Sequence, residues 1–155
     1  MIGEGDIIPD VELTAADGTV LALRAFVGAP LVLYFYPRDD TPGCTREAQD
    51  FSALAGEFDA LGIKLLGVSK DTPAKHAKFA AKYDLRVPLA TAQSDAALQA
   101  FGVRIAKSLY GKSYMGIERA TFLFDAQGGL KRVWRKVKVA GHAAGVLEAA
   151  RNLSV

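Results

Sequence analysis

Cysteine is almost absent from this chain, because among 155 residues only Cys44 carries a thiol. A single cysteine excludes an intramolecular disulfide and disfavours a thiol–disulfide oxidoreductase, which uses paired cysteines. Histidine is nearly as rare: His76 and His142 lie far from each other and from Cys44 in sequence, so no spacing typical of a metal site occurs. We therefore predict no metal and no cofactor, and we expect both histidines at the surface without a catalytic task.

The chain also lacks a long apolar run and a strong excess of charge. No segment approaches the length of a membrane span, and a formal net charge of +2 argues against a dedicated nucleic-acid binder. The basic stretch "LKRVWRKVKVAGH" alternates as a hairpin with one solvated face does, although it could serve as a docking surface for a reductant. Because "MIGEGDIIPDVEL" is acidic where a signal peptide would be basic, we expect a cytoplasmic protein with no membrane or nucleic-acid partner.

Strand-like and helix-like segments alternate along the chain. "VELTAADGTVLAL" predicts an N-terminal hairpin, "LVLYFYP" a strand buried on both faces, and "ATFLFDAQGGLKRVWRKVKV" a second hairpin. Helices are predicted after Thr41, Thr72 and Ser94 as N-caps, and again near the C-terminus. Residues 104–118, which glycines interrupt, are predicted to be irregular. Residues 1–155 are therefore predicted to form one α/β domain, a mixed central sheet with helices on both faces.

The stretch "DTPGC" reads as the start of a helix. Thr41 suits the N-cap, Pro42 the first helical position and Gly43 the second, which places Cys44 in the first turn. Unpaired backbone N–H groups and the helix dipole at this end favour an anion and hence the thiolate. The helix also follows the end of a buried strand, where ligands bind in open α/β sheets. The alternative is an inert cysteine, because a lone cysteine is often a small buried hydrophobe.

Arg119 stands at the entrance to another apolar strand, in "GIERATFLFD". An arginine at the end of a strand most often lies in solvent. When it is buried, however, it needs an anionic partner, and a Cys44 thiolate would supply one. The sequence therefore suggests that Arg119 and Cys44 meet.

The run of Pro37, Thr41 and Cys44 in "YFYPRDDTPGCTREAQDF" resembles the proline–three–threonine–two–cysteine signature of peroxiredoxins. Further similarity lies in "GDIIPDVELTAADGTVLAL", "LLGVSKDTPAKHAKFAAKY", "AFGV" and "KSLYGKSYMGIERATFLFDAQGGL", so the resemblance covers essentially the whole chain. The pattern is most similar to the bacterioferritin-comigratory (Q-type) branch. It implies a thioredoxin-like fold and the thiol-dependent reduction of hydrogen peroxide and organic hydroperoxides.

The resemblance also implies roles for individual residues. Cys44 would be the peroxidatic cysteine, whose thiolate attacks a peroxide oxygen and becomes a sulfenic acid. Thr41 would hydrogen-bond the sulfur and the peroxide, and Arg119 would stabilise the thiolate and the charge on the breaking O–O bond. Pro37 and Pro42 would shape and dry the pocket.

Two further positions complete the expected pocket. Backbone N–H groups at the helix start, around Gly43 and Cys44, would bind the peroxide, since they need no special side chain. Glu47 lies one helical turn beyond Cys44 and is expected to interact with this cluster.

The chain departs from the family where many members carry a second, resolving cysteine. One such position holds Gln49, and another lies in "SDAALQAFG", which has no thiol. The departure implies a one-cysteine cycle, in which an external thiol such as thioredoxin, or glutaredoxin with glutathione, attacks the sulfenic acid. A monomer is expected, with a dimer as the alternative. A second hypothesis stays open: a thioredoxin-like peroxide sensor or redox-partner protein without sustained turnover.

Overall fold

The computed structural model describes residues 2–154. Its helices are short, and none in that range is both long and apolar enough to cross a membrane. The α-helices are α1 (Pro42–Ala53), α2 (Ala55–Ala60), α3 (Pro73–Tyr83), α4 (Asp95–Phe101) and α5 (His142–Arg151), with 3-10 turns at Leu23–Phe26 and Asn152–Ser154. The strands are β1 (Glu12–Ala15), β2 (Val20–Ala22), β3 (Leu31–Phe35), β4 (Lys64–Ser69), β5 (Leu89–Thr91), β6 (Arg104–Leu109), β7 (Lys112–Ile117), β8 (Ala120–Phe124) and β9 (Leu130–Trp134).

The central sheet is mixed, as the alternation of strands and helices predicted. Seven strands follow the order β2-β1-β5-β4-β3-β8-β9. Strand β3 runs parallel to β4 and antiparallel to β8, and β4 runs parallel to β5. The predicted N-terminal hairpin is the antiparallel pair of β1 and β2. Strand β3 therefore lies inside the sheet, and the chain that leaves its carboxyl end enters α1.

Every residue of β3 is buried, which confirms the prediction from "LVLYFYP". Since successive side chains of a strand point to opposite faces, β3 contributes to two separate cores. Leu31, Leu33 and Phe35 pack with Phe101 of α4. On the other face, the core contains residues from β3, α1, α3 and α5, among them Val32, Tyr34, Cys44, Phe51, Phe79 and Val146. Helices thus cover both faces of the sheet.

The apolar stripe that begins at Cys44 is divided between two helices. Leu54, with φ −98° and ψ 0°, separates α1 from α2. Phe51 and Phe58 remain on one buried face across this break, with ring centroids 6.2 Å apart. Gly62 follows the end of α2 with a positive φ of 74°, a conformation that glycine adopts without strain.

Residues 104–118 are regular, and their prediction as irregular structure was wrong. Strands β6 and β7 form an antiparallel hairpin that is separate from the main sheet. Tyr110 and Gly111 make its two-residue turn with positive φ at both positions, the geometry that matches the twist of paired strands. Tyrosine is an unusual residue at such a turn, and the strands lack a clear apolar–polar alternation, so local sequence patterns do not indicate this hairpin.

Both histidines are buried, and their prediction as surface residues was wrong. His76 is fully buried in α3 and His142 is nearly so at the start of α5. His76 shares one face of its helix with Phe79 and Tyr83, at spacings of three and seven residues, so the apolar periodicity of α3 already pointed inwards. The lysines that surround His76 in sequence occupy the other faces.

Tyr34 connects the sheet to α1 through a close contact with glycine. Tyr34 pairs with Gly67 of β4, and its ring stacks on Phe51 of α1 with centroids 4.7 Å apart. A Cβ atom added to Gly67 would lie 2.6 Å from Cζ of Tyr34, closer than van der Waals contact permits. The absent side chain at Gly67 therefore gives Tyr34 the space in which α1 packs.

Replacing Gly67 with alanine should destabilise the protein, because the tyrosine ring must leave its position or β4 must shift. We expect Gly67→Ala to lower the free energy of unfolding by about 1–3 kcal/mol, measured by urea denaturation. Gly56→Ala is the matched control: Gly56 is helical with open space around it, so this change should raise stability by up to about 1 kcal/mol. Equal effects of the two substitutions would contradict the proposed contact.

Candidate active site

The start of α1 has the geometry predicted from "DTPGC". Thr41 is the N-cap in extended conformation, with φ −100° and ψ 156°. Pro42, Gly43 and Cys44 follow as the first three helical residues, and the Thr45 N–H donates to the Thr41 carbonyl at 2.8 Å. The Thr41 side chain does not cap the helix; its hydroxyl instead donates to the Arg38 carbonyl at 2.9 Å. The backbone N–H groups of the first turn are thus left without a side-chain cap.

Cys44 is a free and almost fully buried thiol, only 2% exposed. It points from the first turn of α1 into the core that α1 shares with Tyr34 and Phe51. Gln49, at one position where a resolving cysteine would stand, is exposed on the same helix. Such burial disfavours a disulfide between the Cys44 residues of two subunits, because the two sulfurs would have to approach within bonding distance.

Arg119 contacts the sulfur directly. Its Nη2 donates to Cys44 Sγ at 3.2 Å, while its Nη1 donates to Glu47 Oε1 at 2.7 Å. The sheet places it there, because Phe35 pairs with Ala120 and Arg119 therefore lies beside the carboxyl end of β3. The expectation that Arg119 meets Cys44, and that Glu47 belongs to the same cluster, agrees with this geometry.

Gly43 makes room for the guanidinium. A Cβ atom at this position would lie 3.2 Å from Nη2 of Arg119, tighter than ordinary contact. Glycine at the second helical position therefore lets Arg119 approach the helix closely enough to reach Cys44 and Glu47 together.

Glu47 is a buried carboxyl, 1% exposed, whose charge depends on Arg119. Burial raises the pKa of Glu47 to about 7, although the charge and the hydrogen bond of Arg119 oppose this shift. Burial lowers the pKa of Arg119, but the charges of Glu47 and Cys44 outweigh it and raise the pKa. Arg119 therefore remains a cation at every physiological pH, whereas Glu47 changes its charge near neutrality.

His142 lies on the same face of the sheet, beneath α1. Its Nε2 is 2.7 Å from the Thr121 hydroxyl, and its ring meets Phe51 edge to face with centroids 6.0 Å apart. Burial, together with the positive charge of Arg119, lowers the pKa of His142 to about 4. His142 is therefore a neutral packing residue at neutral pH.

The two prolines lie near the start of α1. Pro42 is exposed at the first position of α1. Pro37 is half-buried and lines an open groove of about 370 Å³. The other walls of this groove include Arg38, Lys70, Lys107 and Met115. The structure therefore brings Gly43, Cys44, Glu47 and Arg119 into one cluster and leaves the proline roles as predictions.

Two buried polar residues next to the site, Asp39 and His76, were missed from the sequence. Asp39 lies in the connection between β3 and α1, 9% exposed, and it contacts Tyr36 and His76. Two features of the sequence indicate this burial. His76 has helical spacing with Phe79, and Asp39 lies between the buried strand and the helix start. Adjacent acidic residues such as Asp39 and Asp40 usually lie in water, so composition alone does not indicate this burial.

Comparison with known proteins assigns the chain to a family. Residues 5–133 match the model of the AhpC/TSA family. The chain is a peroxiredoxin of the Bcp (Q-type) branch. It is 50% identical to peroxiredoxin Bcp of Xanthomonas campestris over 90% of this chain and 88% of that protein. Peroxiredoxin Bcp of Bacillus subtilis is 43% identical over 97% and 96% of the two chains.

Solved peroxiredoxin structures have the same fold. A structure of the X. campestris bacterioferritin comigratory protein, described in connection with its alkyl peroxide reduction activity, superposes with a TM-score of 0.87 at 46% identity and covers 94% of this chain and 98% of its own. A cysteine-to-serine mutant of Xylella fastidiosa PrxQ gives a TM-score of 0.93 at 33% identity and covers 100% and 99%. The thioredoxin-like peroxiredoxin fold expected from the sequence is confirmed.

The pKa values of Glu47 and His142 predict opposite dependences of stability on pH. The pKa of Glu47 rises from 4.5 to about 7 on folding, so its contribution is present below pH 4.5 and is lost as pH rises through 7. The pKa of His142 falls from 6.5 to about 4, so its contribution is present above pH 6.5 and is lost as pH falls through 4. Between about pH 4.5 and 6.5 the two trends should largely cancel.

Single substitutions should reveal each trend. In Glu47→Gln, the free energy of unfolding should rise with pH over this window, because only the His142 contribution remains. In His142→Gln, which keeps a partner for Thr121, the free energy of unfolding should fall as pH rises, because only the Glu47 contribution remains. Each change should amount to no more than about 3 kcal/mol, measured by urea denaturation at fixed pH values. Two variants with the same pH slope as the parent would show that neither group titrates in this range.

Proposed function

We propose that this peroxiredoxin is a one-cysteine thiol peroxidase, with Cys44 as its nucleophile. The observation that supports this most directly is the contact of Arg119 with Cys44 Sγ at the start of α1. A cation and the unpaired N–H groups of a helix start both favour the thiolate. No second thiol exists in the sequence to resolve an oxidised Cys44 internally.

The first half-reaction is a displacement at oxygen. The Cys44 thiolate attacks the terminal oxygen of a hydroperoxide, the S–O bond forms and the O–O bond breaks. Cys44 is oxidised to the sulfenic acid, which keeps the proton of the attacked oxygen. The other oxygen leaves as hydroxide or alkoxide and takes a proton from water. Arg119, already beside the sulfur, stabilises the negative charge that moves onto the leaving oxygen.

Thr41 is suited to orient the peroxide. Its O–H is committed to the Arg38 carbonyl, so the hydroxyl oxygen retains lone pairs as acceptors. The peroxide proton can donate to one of them while the peroxide oxygens accept from N–H groups at Gly43 and Cys44. Thr41 therefore acts as an acceptor in this proposal, whereas a donor to the sulfur was also expected from the sequence. Pro37 and Pro42 would limit access of water to this pocket.

The second half-reaction requires two external thiols. The first attacks the sulfenic sulfur, which releases water and leaves a mixed disulfide with Cys44. The second thiol attacks the partner sulfur of that disulfide, which returns the Cys44 thiolate and forms the oxidised reductant. Thioredoxin, or glutaredoxin with glutathione, has the required chemistry. We propose a monomer in a reducing compartment such as the cytoplasm, where such thiols are available.

Cys44→Ser should abolish peroxide reduction. Purified reduced protein, given hydrogen peroxide or an organic hydroperoxide with a thiol reductant, should consume peroxide over many turnovers, and the serine variant should consume none above background. A dimedone adduct on Cys44, detected by mass spectrometry after one equivalent of peroxide, should identify the sulfenic acid. Continued consumption by Cys44→Ser would disprove Cys44 as the nucleophile.

The same assay separates an enzyme from a peroxide sensor. A peroxidase continues to consume peroxide with at least one of the thiol reductants, whereas a sensor oxidises once and stops at one peroxide per chain. We expect sustained turnover, because an external thiol can attack the sulfenic acid of Cys44 and return the thiolate. A single stoichiometric oxidation with every thiol tested would favour the sensor.

Arg119→Ala should slow the reaction of Cys44 with peroxide by about 10²–10³-fold, the range for loss of one donor to a developing oxyanion. Arg119→Lys should recover part of this rate, because it keeps the charge but loses the fork that reaches Cys44 and Glu47 together. Stopped-flow fluorescence of the only tryptophan, Trp134, provides the measurement.

Arg46→Ala is the control for a general effect of charge. Arg46 lies on the same helix, and its side chain is 63% exposed beside Asp50. Its removal should leave the rate within about twofold, since exposed ion pairs contribute little. If Arg46→Ala and Arg119→Ala slow the reaction equally, the specific contact of Arg119 is not what accelerates it.

A further inference from the structure

A buried cluster of three polar side chains lies beneath the connection between β3 and α1. It consists of Tyr36, Asp39 and His76, which are 1%, 9% and 0% exposed. The Tyr36 hydroxyl donates to Asp39 Oδ1 at 2.5 Å, and His76 Nδ1 lies 2.7 Å from Asp39 Oδ2. None of these atoms contacts Cys44 or Arg119. Burying a carboxylate costs free energy unless hydrogen-bond donors replace the water that it loses.

The contacts within the cluster centre on the Asp39 carboxylate. The Tyr36 hydroxyl donates to Oδ1, and His76 Nδ1 faces both Oδ2, at 2.7 Å, and the Tyr36 hydroxyl, at 3.3 Å. His76 Nε2 and Asp39 Oδ2 are both buried without a hydrogen-bond partner among the described residues, so the approach of Nδ1 to Oδ2 is a short ion-pair distance and not a well-aligned hydrogen bond. Burial raises the pKa of Tyr36 most, and the negative charge of Asp39 raises it further. Tyr36 therefore stays protonated, and its hydroxyl remains a hydrogen-bond donor.

The cluster ties the connection to a helix that has no other part in the site. Asp39 lies two residues before Thr41, and His76 belongs to α3. The Asp39 N–H also donates to Asp71 Oδ2 at 2.8 Å, and Asp71 accepts from the Ser69 hydroxyl at 2.7 Å. Both the side chain and the backbone of Asp39 are therefore held from the β4–α3 side of the sheet.

A neighbouring contact of the same loop lies in solvent. Asp40 has an unfavourable positive φ of 58°, and its carboxylate accepts from Lys82 and Tyr83 at 2.8 and 2.6 Å. The Lys82 side chain is 57% exposed, so water and salt weaken this ion pair. Asp39 is buried, so salt screens its contacts less.

We propose that His76, through Asp39 and Tyr36, is a positioning residue that fixes the loop before α1 and so holds the helix start and Cys44 against Arg119. The proposal deepens the proposed function and rests on Cys44 as the nucleophile. A shift of the loop would carry Thr41 and the first turn of α1 with it. Since Arg119 is attached to β8, the distance between its Nη2 and Sγ would then change.

Three substitutions in the full-length chain test this role. His76→Leu removes the ring nitrogen that contacts Asp39 and keeps an apolar side chain in the core. His76→Asn is the rescue variant, because its amide N–H₂ lies near the position of Nδ1 and can donate to Asp39. Tyr36→Phe removes only the hydroxyl that donates to Oδ1. Ala77→Gly, at the exposed neighbour of His76, weakens α3 by about 1 kcal/mol without touching the cluster and is the control for stability alone.

The first readout is the pH at which alkylation of Cys44 by iodoacetamide reaches half its maximal rate, which needs no peroxidase activity. We expect this midpoint to rise by about one pH unit in His76→Leu, because the cation moves away from the sulfur. Tyr36→Phe should shift it in the same direction by less. His76→Asn and Ala77→Gly should leave it unchanged. The second readout, the rate of Cys44 oxidation by hydrogen peroxide, should fall by about tenfold or more in His76→Leu.

Each outcome decides the proposal. Unchanged midpoints in folded His76→Leu and Tyr36→Phe overturn it, as does an equal shift in Ala77→Gly, which would show that only the stability of α3 matters. If His76→Leu does not fold, as judged by circular dichroism, Tyr36→Phe decides alone. Should the parent protein fail to reduce peroxide while the midpoints shift as expected, the proposed function is wrong and the positioning role of His76 stands.

Discussion

The arrangement of the site depends on one guanidinium that two groups of α1 share. Cys44 and Glu47 lie three residues apart, so they project from the same face of the helix, and Arg119 reaches both with separate nitrogens. This requires β8 to lie beside β3, a helix to begin directly beyond β3, and no side chain at Gly43. The order of strands, the position of the N-cap and one glycine are therefore all constrained by a single contact of 3.2 Å.

The shared cation also makes the two acidic groups compete. Arg119 offers one positive charge to a carboxyl and a thiol in a core from which water is excluded. Burial favours the neutral form of Glu47 near pH 7. In the molecules in which Glu47 is protonated, the positive charge of Arg119 faces no other acidic group than Cys44 among the described residues. The protonation state of Glu47 thus determines how strongly the positive charge of Arg119 stabilises a Cys44 thiolate. His142 is neutral and adds no second positive charge nearby.

The sequence predicted the parts of the site that local rules control. Thr41 and Pro42 mark a helix start by capping and by fixed φ, and the run from Leu31 to Phe35 marks a buried strand by hydrophobicity, so Cys44 could be placed from the sequence. The contact of Arg119 with Cys44 bridges 75 residues; the need of a buried arginine for an anionic partner suggested it, and the resemblance to peroxiredoxins supported it. The burial of His76 and Asp39 was missed, because the free energy of burying a polar group depends on partners distant in sequence. The β6–β7 hairpin was missed because its turn uses a tyrosine in a conformation that propensity does not favour.

The single thiol limits how oxidation can change the covalent connectivity of the chain. A cross-link within a chain alters stability largely by restricting the unfolded state, and Cys44 has no partner in the sequence with which to form one. Oxidation and reduction therefore leave the connectivity of the chain unchanged, and the unfolded ensemble has the same topology in both redox states. A difference in stability between the reduced protein and its sulfenic form therefore reflects the surroundings of the sulfur and not a cross-link within the chain.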